Sequence, residues 1–247
     1  MRKLYTEITR SSVGRLGDSS FRLFFHGPEG RAISPWHDIA LPTMDRKDMW
    51  YPFVCEIPKG RTEKMEVSLS EKFNPISQDV KNGKPRFLPI VPLFNYGMLP
   101  QTFEAPKKKC DITGLYGDGD PIDVVDISNS ALELGYITPA KILGAFCYVD
   151  GGEADWKLIV ATKESDQLNK ELLGVMFGFF ENYKGPDSGN YIYGNNKVFS
   201  VSESVDILRA ANQNYQELLH SYRTTRTGGE SDEDEPHHIW VPGNERI

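Results

Sequence analysis

Apolar and polar residues alternate over several short runs in the first two thirds of the chain, a pattern typical of β-strands with one buried face. Strands are predicted over 21–25, 31–39, 50–57 and 62–69. In the last of these, Met65, Val67 and Leu69 share one face and polar residues occupy the other. Two apolar runs, 141–149 and 155–162, flank a Gly-Gly turn and predict a further hairpin.

Helical spacing appears in the last third of the chain. Apolar residues recur at every third or fourth position over 168–183, with Asp166 as the predicted N-cap and the Lys-Gly-Pro sequence at 184–186 as the end. A second helix is predicted from the capping box at 200–203 to about Tyr222. Short strands followed by two helices predict an α+β domain around a small β-barrel.

Three segments are predicted along the 247 residues. Residues 1–20 are polar and predict an N-terminal arm, residues 21–223 predict one folded domain, and residues 224–247 predict an acidic C-terminal tail. The tail contains six polar residues at 230–235, five of them acidic, and such a run predicts disorder.

Charge and cysteine content narrow the range of partners. With 28 basic and 35 acidic residues the net charge is −7, which disfavours nucleic acid and anionic membranes. The cysteines, Cys55, Cys110 and Cys147, are odd in number and lack metal-site spacing, so neither a disulfide framework nor a zinc site is predicted. No run approaches the ~18 apolar residues of a membrane span, so a cytoplasmic protein without membrane insertion is predicted.

A cluster of carboxylates is the strongest chemical signal. Asp118, Asp120 and Asp123 lie within six residues, and the stretch 111–155 carries nine acidic residues against the single cation Lys141. Carboxylates this close raise each other's pKa unless positive charge lies between them, and hard divalent cations such as Mg²⁺ supply it. The alternative is a tight turn with no further role, because Asp and Gly are common turn residues.

The run 118–123 has the pattern D-x-D-P-x-D and resembles the signature of the soluble inorganic pyrophosphatases of family I. It is joined in order by E-I-P at 56–58, K-M-E at 64–66, K-P-R-F at 84–87, N-Y-G at 95–97, P-Q-T at 100–102, D-G-G-E-A-D-W-K at 150–157 and F-F-E-N-Y-K at 179–184. S-P-W-H-D at 34–38 and N-P-I-S-Q-D at 74–79 resemble the eukaryotic branch of the family. The resemblance spans roughly residues 21–222, and implies an OB-like five-stranded β-barrel core with extra β-hairpins and two α-helices in the C-terminal half.

The resemblance also implies the reaction and its residues. Pyrophosphate would be hydrolysed to two phosphates with several Mg²⁺ ions, Mn²⁺ or Co²⁺ being substitutes, and short polyphosphate is a further candidate substrate. The implied metal ligands are Asp118, Asp123 and Asp155 for one pair of ions, Asp150 with Asp155 for another ion, and Glu66 for a further one. The implied catalytic residues are Asp120 as proton acceptor, Glu56 in support of it, and Lys64, Arg86, Tyr96, Lys157, Tyr183 and Lys184 as contacts to phosphate oxygens.

Three departures from the family pattern bear on these expectations. The segment 87–94 is shorter than in typical eukaryotic relatives and lacks a tyrosine that they place there, and the segment 157–183 is also short. Gly60 stands where those relatives carry a tryptophan associated with their dimer contact. A homodimer or higher homo-oligomer is predicted, and the glycine leaves open whether its interface matches that of the relatives.

Two other functions remain to be weighed. The sequence Y-G-D-G-D at 116–120 resembles a metal-binding hairpin of some DNA polymerases, but that function needs a far longer chain and a basic channel. A non-catalytic metal- or phosphate-binding OB-type module would keep Lys64 and Arg86 but has no need of Asp120, Asp150 and Asp155 together. An acidic polyphosphate-storing vesicle such as an acidocalcisome is the alternative to the cytoplasm.

Overall fold

The computed structural model describes residues 5, 7–44, 49–163, 166–228 and 239–242. Its strands are β1 (Thr9–Val13), β2 (Arg22–His26), β3 (Ala32–Ile33), β4 (Trp50–Ile57), β5 (Met65–Val67), β6 (Ile76–Gln78), β7 (Val80–Lys81), β8 (Lys84–Pro85), β9 (Asn95–Met98), β10 (Asp123–Asp126), β11 (Ile137–Asp150), β12 (Glu153–Ala161) and β13 (Tyr191–Ile192). Its helices are α1 (Lys170–Asn182), the single turn α2 (Tyr193–Asn196) and α3 (Val201–Gly228).

Five of these strands close into a ring. The order is β12-β10-β9-β4-β11, and β11 pairs back with β12. Within the ring β10 and β12 run parallel, and the other pairs are antiparallel. The α+β fold with an OB-like five-stranded barrel, predicted from the sequence, is confirmed.

A second sheet and a small hairpin lie beside the barrel. The sheet has the order β1-β2-β6-β5 with β3 on β2, and β7 and β8 form a hairpin of their own. The predicted hairpin of β11 and β12 is present, with Asp150 opposite Glu153 at its turn. These are the extra hairpins that the family resemblance implied.

Apolar side chains fill the barrel and join it to the two long helices. Phe53, Leu158 and Val160 lie in the main cluster with Val205 and Leu208 of α3. A separate cluster covers the outer face of the barrel, where α1 contributes Met176, Phe179 and Phe180, which pack on Phe146 and Ile159. Cys55 and Cys147 are buried, free thiols within strands, as their apolar surroundings predicted.

The helix ends agree with the sequence in one case and differ in two. The capping box is present, because Ser200 N donates to Glu203 Oε2 at 2.7 Å and Glu203 N to Ser200 Oγ at 3.4 Å. The N-cap of α1 is Asn169, whose side chain accepts from Leu172 N, so the prediction of Asp166 is wrong. The last helix continues to Gly228, beyond the predicted end near Tyr222.

Residues at both ends join the folded domain more closely than the pattern predicted. Strand β1 lies within the predicted arm and pairs along β2, with Ser11 opposite Phe24. β1 is an edge strand of its sheet and its side chains are mostly exposed, so backbone pairing with β2 holds it in place and its sequence shows no apolar alternation. Near the C-terminus Ile239, Trp240 and Val241 are buried. The acidic run at 230–235 lies outside the described residues.

One histidine holds the C-terminal segment. His37 Nε2 lies 3.0 Å from the carbonyl oxygen of Trp240, and His37 Nδ1 lies 2.8 Å from Tyr215 Oη. Trp240 N also donates to the carbonyl of Leu69 at 2.7 Å. Burial lowers the pKa of His37 from 6.5 to about 4, although the Trp240 carbonyl and Asp38 act in the opposite direction.

This pKa makes the stability of the fold depend on pH. Because the folded-state value lies below the unfolded one, the neutral ring stabilises the fold above pH 6.5 and that stabilisation is lost as the pH falls toward 4. The full loss of folding stability is on the order of 3 kcal/mol.

We expect His37→Gln to lower the free energy of unfolding at neutral pH. The variant should also flatten the decline of that free energy between about pH 7 and about pH 5, measured by urea unfolding. The control is His26→Gln, and an unchanged slope in His37→Gln would contradict the prediction.

Candidate active site

The carboxylate run forms a turn, as its Asp and Gly residues predict, and its carboxylates also line a cavity, so it is more than a turn. Asp118 Oδ1 accepts a hydrogen bond from Asp120 N at 3.0 Å, and Gly119 has a φ of 88° that favours glycine. Glu104 N donates to Asp120 O at 2.8 Å and Gly119 N donates to Glu104 O at 2.9 Å. A Cβ on Gly117 would lie 2.4 Å from the carbonyl carbon of Glu104, so only glycine allows this approach.

Strand pairing then brings distant residues together at one end of the barrel. The parallel pair β10 and β12 places Asp123 opposite Lys157, and the antiparallel pair β9 and β10 brings Tyr96 alongside. Tyr183 and Lys184 follow directly after α1, which packs on the outside of the same strands.

All thirteen residues predicted for the site line one cavity of about 140 Å³. They are Glu56, Lys64, Glu66, Arg86, Tyr96, Asp118, Asp120, Asp123, Asp150, Asp155, Lys157, Tyr183 and Lys184. The cavity therefore collects residues from the motif at 56–58 to the motif at 179–184, and no predicted site residue lies elsewhere.

Lys157 is the central cation of the barrel side. It is 2 % exposed, and its ammonium donates to Asp123 Oδ2 at 2.5 Å and to Asp155 Oδ1. Tyr96 Oη also donates to Asp123. Burial works to lower the pKa of Lys157, but Asp123 and Asp155 outweigh it and hold that pKa well above its usual range. The ammonium is therefore charged at neutral pH.

A buried glutamate that the sequence analysis missed completes the carboxylate cluster. Both oxygens of the Glu104 carboxylate accept from Trp156 N, at 3.0 and 3.2 Å. Oxygen atoms of Glu104, Asp118 and Asp155 lie within 4.8 Å of one another and could hold a metal ion. Glu104 follows the P-Q-T motif by two residues, but its relation to Asp118 arises only when the backbone bonds described above form.

This cluster overlaps the predicted set of metal ligands without matching it. Asp118 and Asp155 are common to both, whereas Glu104 converges on them and Asp123 is engaged by Lys157 and Tyr96. Burial and nearby carboxylates raise the pKa values of Glu104 and Asp118 well above their usual range. Hard oxygen donors that repel one another in this way fit a divalent cation.

Asp120 lies apart from this cluster. Its side chain is open to the cavity, but the surrounding walls desolvate it, and Glu66 and Asp123 repel its negative charge. These effects raise the pKa of Asp120 to about 7. Its carboxylate thus has a proton affinity suited to general-base chemistry at neutral pH.

The opposite wall of the cavity carries cations. Lys64 Nζ donates to Glu66 Oε2 and to Asp79 Oδ2, each at 2.7 Å, and Arg86 donates to the same Asp79 oxygen at 2.5 Å. Burial raises the pKa of Asp79, but Lys64 and Arg86 outweigh it and leave that pKa below its usual range. Asp79 was also missed as a site residue, although it ends the N-P-I-S-Q-D motif.

Lys184 adds a further cation to the lining of the cavity. Lys184 donates to Asp150, and Asn190 Nδ2 donates to the other Asp150 oxygen at 2.8 Å. Asn190 also accepts from Gly151 N at 3.0 Å, which fixes the hairpin turn beside the carboxylate. The cavity therefore offers carboxylates on its barrel side and cations on its other side, as a site for a metal-complexed anion requires.

Comparison with known proteins identifies this arrangement. A sequence model described as Inorganic pyrophosphatase matches residues 53–216, about two thirds of the chain. The chain belongs to the inorganic pyrophosphatase family. That family consists of metal-dependent hydrolases that split pyrophosphate, so the activity predicted from the motifs is confirmed and the binding module is not favoured.

Individual relatives agree with the family. Soluble inorganic pyrophosphatase 6, chloroplastic, of Arabidopsis thaliana is 34% identical over 214 residues, which are 81% of this chain and 70% of the relative. The type I inorganic pyrophosphatase of Toxoplasma gondii has a TM-score of 0.79 at 32% identity, covering 85% of this chain and 99% of that one. An N-terminally truncated vacuolar soluble pyrophosphatase of Trypanosoma cruzi, in complex with PPi, has a TM-score of 0.77 at 29% identity, covering 86% and 91%.

No helix in the described ranges combines the length and the apolar content needed to cross a membrane.

The carboxylate cluster predicts that metal ions stabilise the fold. We expect a divalent cation to raise the melting temperature, because binding to the folded state alone adds about 2.7 kcal/mol at a concentration about 100 times Kd. Asp118→Asn should reduce this gain, and without metal it should be at least as stable as the wild type because one repelling carboxylate is removed. Thermal unfolding with and without Mg²⁺ measures both effects. Asp111→Asn is the control, and an equal gain in Asp118→Asn would refute the assignment.

Proposed function

We propose that this cavity hydrolyses inorganic pyrophosphate to two phosphate ions with Asp120 as proton acceptor. The observation that carries the proposal is the arrangement of the thirteen predicted residues in one cavity, with acceptor-rich and cation-rich walls on either side. Pyrophosphate is small and highly charged, so it suits a cavity of about 140 Å³ lined by charged groups.

The carboxylate wall is proposed to hold the metal ions. Asp118, Asp123 and Asp155 are the ligands expected from the family resemblance, Asp150 and Glu66 serve further ions, and Glu104 joins them on the geometry of the cluster. Oxygen donors of this kind favour Mg²⁺, with Mn²⁺ or Co²⁺ as substitutes. When bound, such ions supply positive charge for the substrate and make water more acidic.

Asp120 is proposed to orient the attacking water and to take its proton. Its position supports that role, because its carboxylate lines the cavity beside the proposed ligands Asp118 and Asp123 and is not itself one of them. Glu56 is proposed to support Asp120 without contacting the substrate. It is 4 % exposed and accepts a hydrogen bond from Val67 N at 2.7 Å, which joins β5 to the barrel.

Donors around the cavity are proposed to hold the phosphate oxygens and to stabilise negative charge as the P–O bond breaks. Arg86 can make a two-point contact, whereas Lys64, Lys157 and Lys184 act as compact charges. Tyr96 and Tyr183 add hydroxyl donors, and burial raises the pKa of both so that each keeps its proton at neutral pH.

Phosphate release from pyrophosphate tests the assignment. We expect fast release with Mg²⁺, none with EDTA, and a fall of at least about 100-fold in kcat for Asp120→Asn, because the proton acceptor is lost while the metal ligands remain. Asp111→Asn is the matched control outside the cavity. Release that survives in Asp120→Asn would place the base elsewhere, and tight Mg²⁺ binding without turnover in the wild type would favour the binding module.

The proposed substrates and location are those predicted from the sequence. Pyrophosphate is the proposed substrate, short polyphosphate a second candidate, and nucleic acid is disfavoured by the net charge of −7. The proposed location is the cytoplasm, with an acidic polyphosphate-storing vesicle as the alternative.

Self-association is proposed through an exposed apolar surface, named here the 87–93 patch. Phe87, Ile90, Val91 and Leu93 are 53%, 37%, 49% and 58% exposed. Gly60 N donates to Pro92 O at 3.0 Å, so the patch borders the position where a family dimer contact is expected. A group of apolar side chains of this kind is costly in water and typical of an interface. Because a homo-oligomer is expected, a second copy of the chain is proposed to cover the 87–93 patch.

Charged substitutions test the 87–93 patch. We expect Val91→Asp with Leu93→Asp to reduce the mass measured by light scattering after size exclusion, because a charge in an apolar interface is not compensated. Val13→Asp, at an equally exposed valine on β1, is the control. An oligomer that persists in the double variant would locate the interface elsewhere.

A further inference from the structure

Three chain segments meet behind the cation wall in a closed ring of backbone hydrogen bonds. Lys64 N donates to Arg86 O at 3.1 Å, Arg86 N donates to Asp79 O at 2.8 Å, and Asp79 N donates to Lys64 O at 2.9 Å. The same three residues meet again through their side chains, where Lys64 and Arg86 both contact Asp79. We name this arrangement the 64–79–86 junction.

One buried amide occupies the centre of the junction. Gln78 Nε2 donates to all three carbonyls, at 3.0 Å to Lys64 O, 3.3 Å to Asp79 O and 2.6 Å to Arg86 O. Gln78 is 3 % exposed and is the last residue of β6. An amide group has two hydrogens, so three acceptors share them, and a shift of any of the three segments would break a contact.

The other end of the same amide is left unsatisfied. Gln78 Oε1 is buried and has no hydrogen-bond partner among the described residues. A buried carbonyl without a partner is unfavourable, so an apolar side chain of similar size would avoid this penalty. The contacts of the amide nitrogen must therefore outweigh the cost of the unpaired oxygen. These contacts fix the relative position of the backbone segments that contain Lys64 and Arg86.

We propose that Gln78 is a positioning residue for substrate binding, which sets the spacing of the Lys64 and Arg86 side chains that hold the phosphate groups. This inference rests on the proposed function of the cavity. It assigns no contact between Gln78 and the substrate, because the amide acts through the backbones of the two cations. The cluster of Glu104, Asp118 and Asp155 stands on β12 and on loops outside the junction, so it should be unaffected, whereas Glu66 lies on β5 beside Lys64.

Gln78→Met tests the proposal, because methionine is of similar length but has no donor. We expect KM for pyrophosphate and the dissociation constant for imidodiphosphate, a non-hydrolysable analogue, each to rise roughly ten- to hundredfold, since misplaced contact groups lose binding energy. The part of the Mg²⁺ stabilisation that Asp118→Asn removes should be retained in Gln78→Met, because the Glu104, Asp118 and Asp155 cluster lies outside the junction. Ile76→Val, a truncation of a fully buried side chain on the same strand, is the control for general loosening.

A second comparison separates positioning from stability. Because Gln78 is proposed to act through both Lys64 and Arg86, Gln78→Met should weaken imidodiphosphate binding less in an Arg86→Met background than in the wild type, with only the effect through Lys64 remaining. Additive effects, or affinities equal to those of Ile76→Val, would overturn the proposal. If Gln78→Met does not fold, Gln78→Asn replaces it as the test. Asparagine keeps the amide but its shorter side chain withdraws it from the junction, so KM should again rise.

The outcomes also distinguish this inference from the function beneath it. Failure of both Gln78 variants to fold would make the role of the amide purely structural and would overturn the proposal. A wild-type protein that binds imidodiphosphate but releases no phosphate would refute hydrolysis, while a weaker affinity in Gln78→Met would still support the positioning role.

Discussion

Repulsion among buried carboxylates is the constraint around which this end of the barrel is built. Glu104, Asp118 and Asp155 converge within 4.8 Å, and Asp120 and Asp123 lie in the same cavity. Lys157 is the cation closest to the centre of this group, buried between Asp123 and Asp155. One ammonium cannot balance five carboxylates, so the folded chain has a high affinity for protons or for divalent cations, and the raised pKa values express that affinity.

Rigid backbone is what keeps these repelling groups in place. The loop before β10 is fixed by paired bonds to Glu104 and by a glycine at 117 that allows the two backbones to touch. On the other wall the 64–79–86 junction fixes the cations in the same way, with backbone bonds supplemented by one buried amide. In both places main-chain hydrogen bonds between distant segments hold the residues that are proposed to carry out the chemistry.

The sequence predicted the strands, helices and cavity residues better than it predicted the residues that hold them in position. Periodicity located β4, the hairpin of β11 and β12, and both long helices, because each carries its own apolar pattern. The D-x-D-P-x-D run and its companion motifs located all thirteen cavity residues, because short motifs preserve local spacing.

What the sequence could not supply are relations made by tertiary contacts alone. Glu104 joins Asp118 through bonds between segments some fifteen residues apart, and Gln78 meets Arg86 across a hairpin. Strand β1 has no apolar alternation and forms by pairing with β2, while Asn169 competes with Asp166 for the same cap and is favoured because it lies next to the first turn. Such features leave no period or spacing to detect.

The two walls of the cavity belong to different sheets, and this raises the question of what sets the gap between them. The carboxylates stand on the barrel strands β10 and β12, and Lys64 and Glu66 stand on or beside β5 of the second sheet. Glu56 on β4 crosses between the sheets, because its carboxylate accepts the backbone N–H of Val67 on β5. A hydrogen bond is directional and an apolar contact is not, so this bond defines a distance where packing alone would allow sliding. This bond gives the predicted role of Glu56 a geometric basis: it fixes how far the cations proposed to hold phosphate stand from the carboxylates proposed to hold metal.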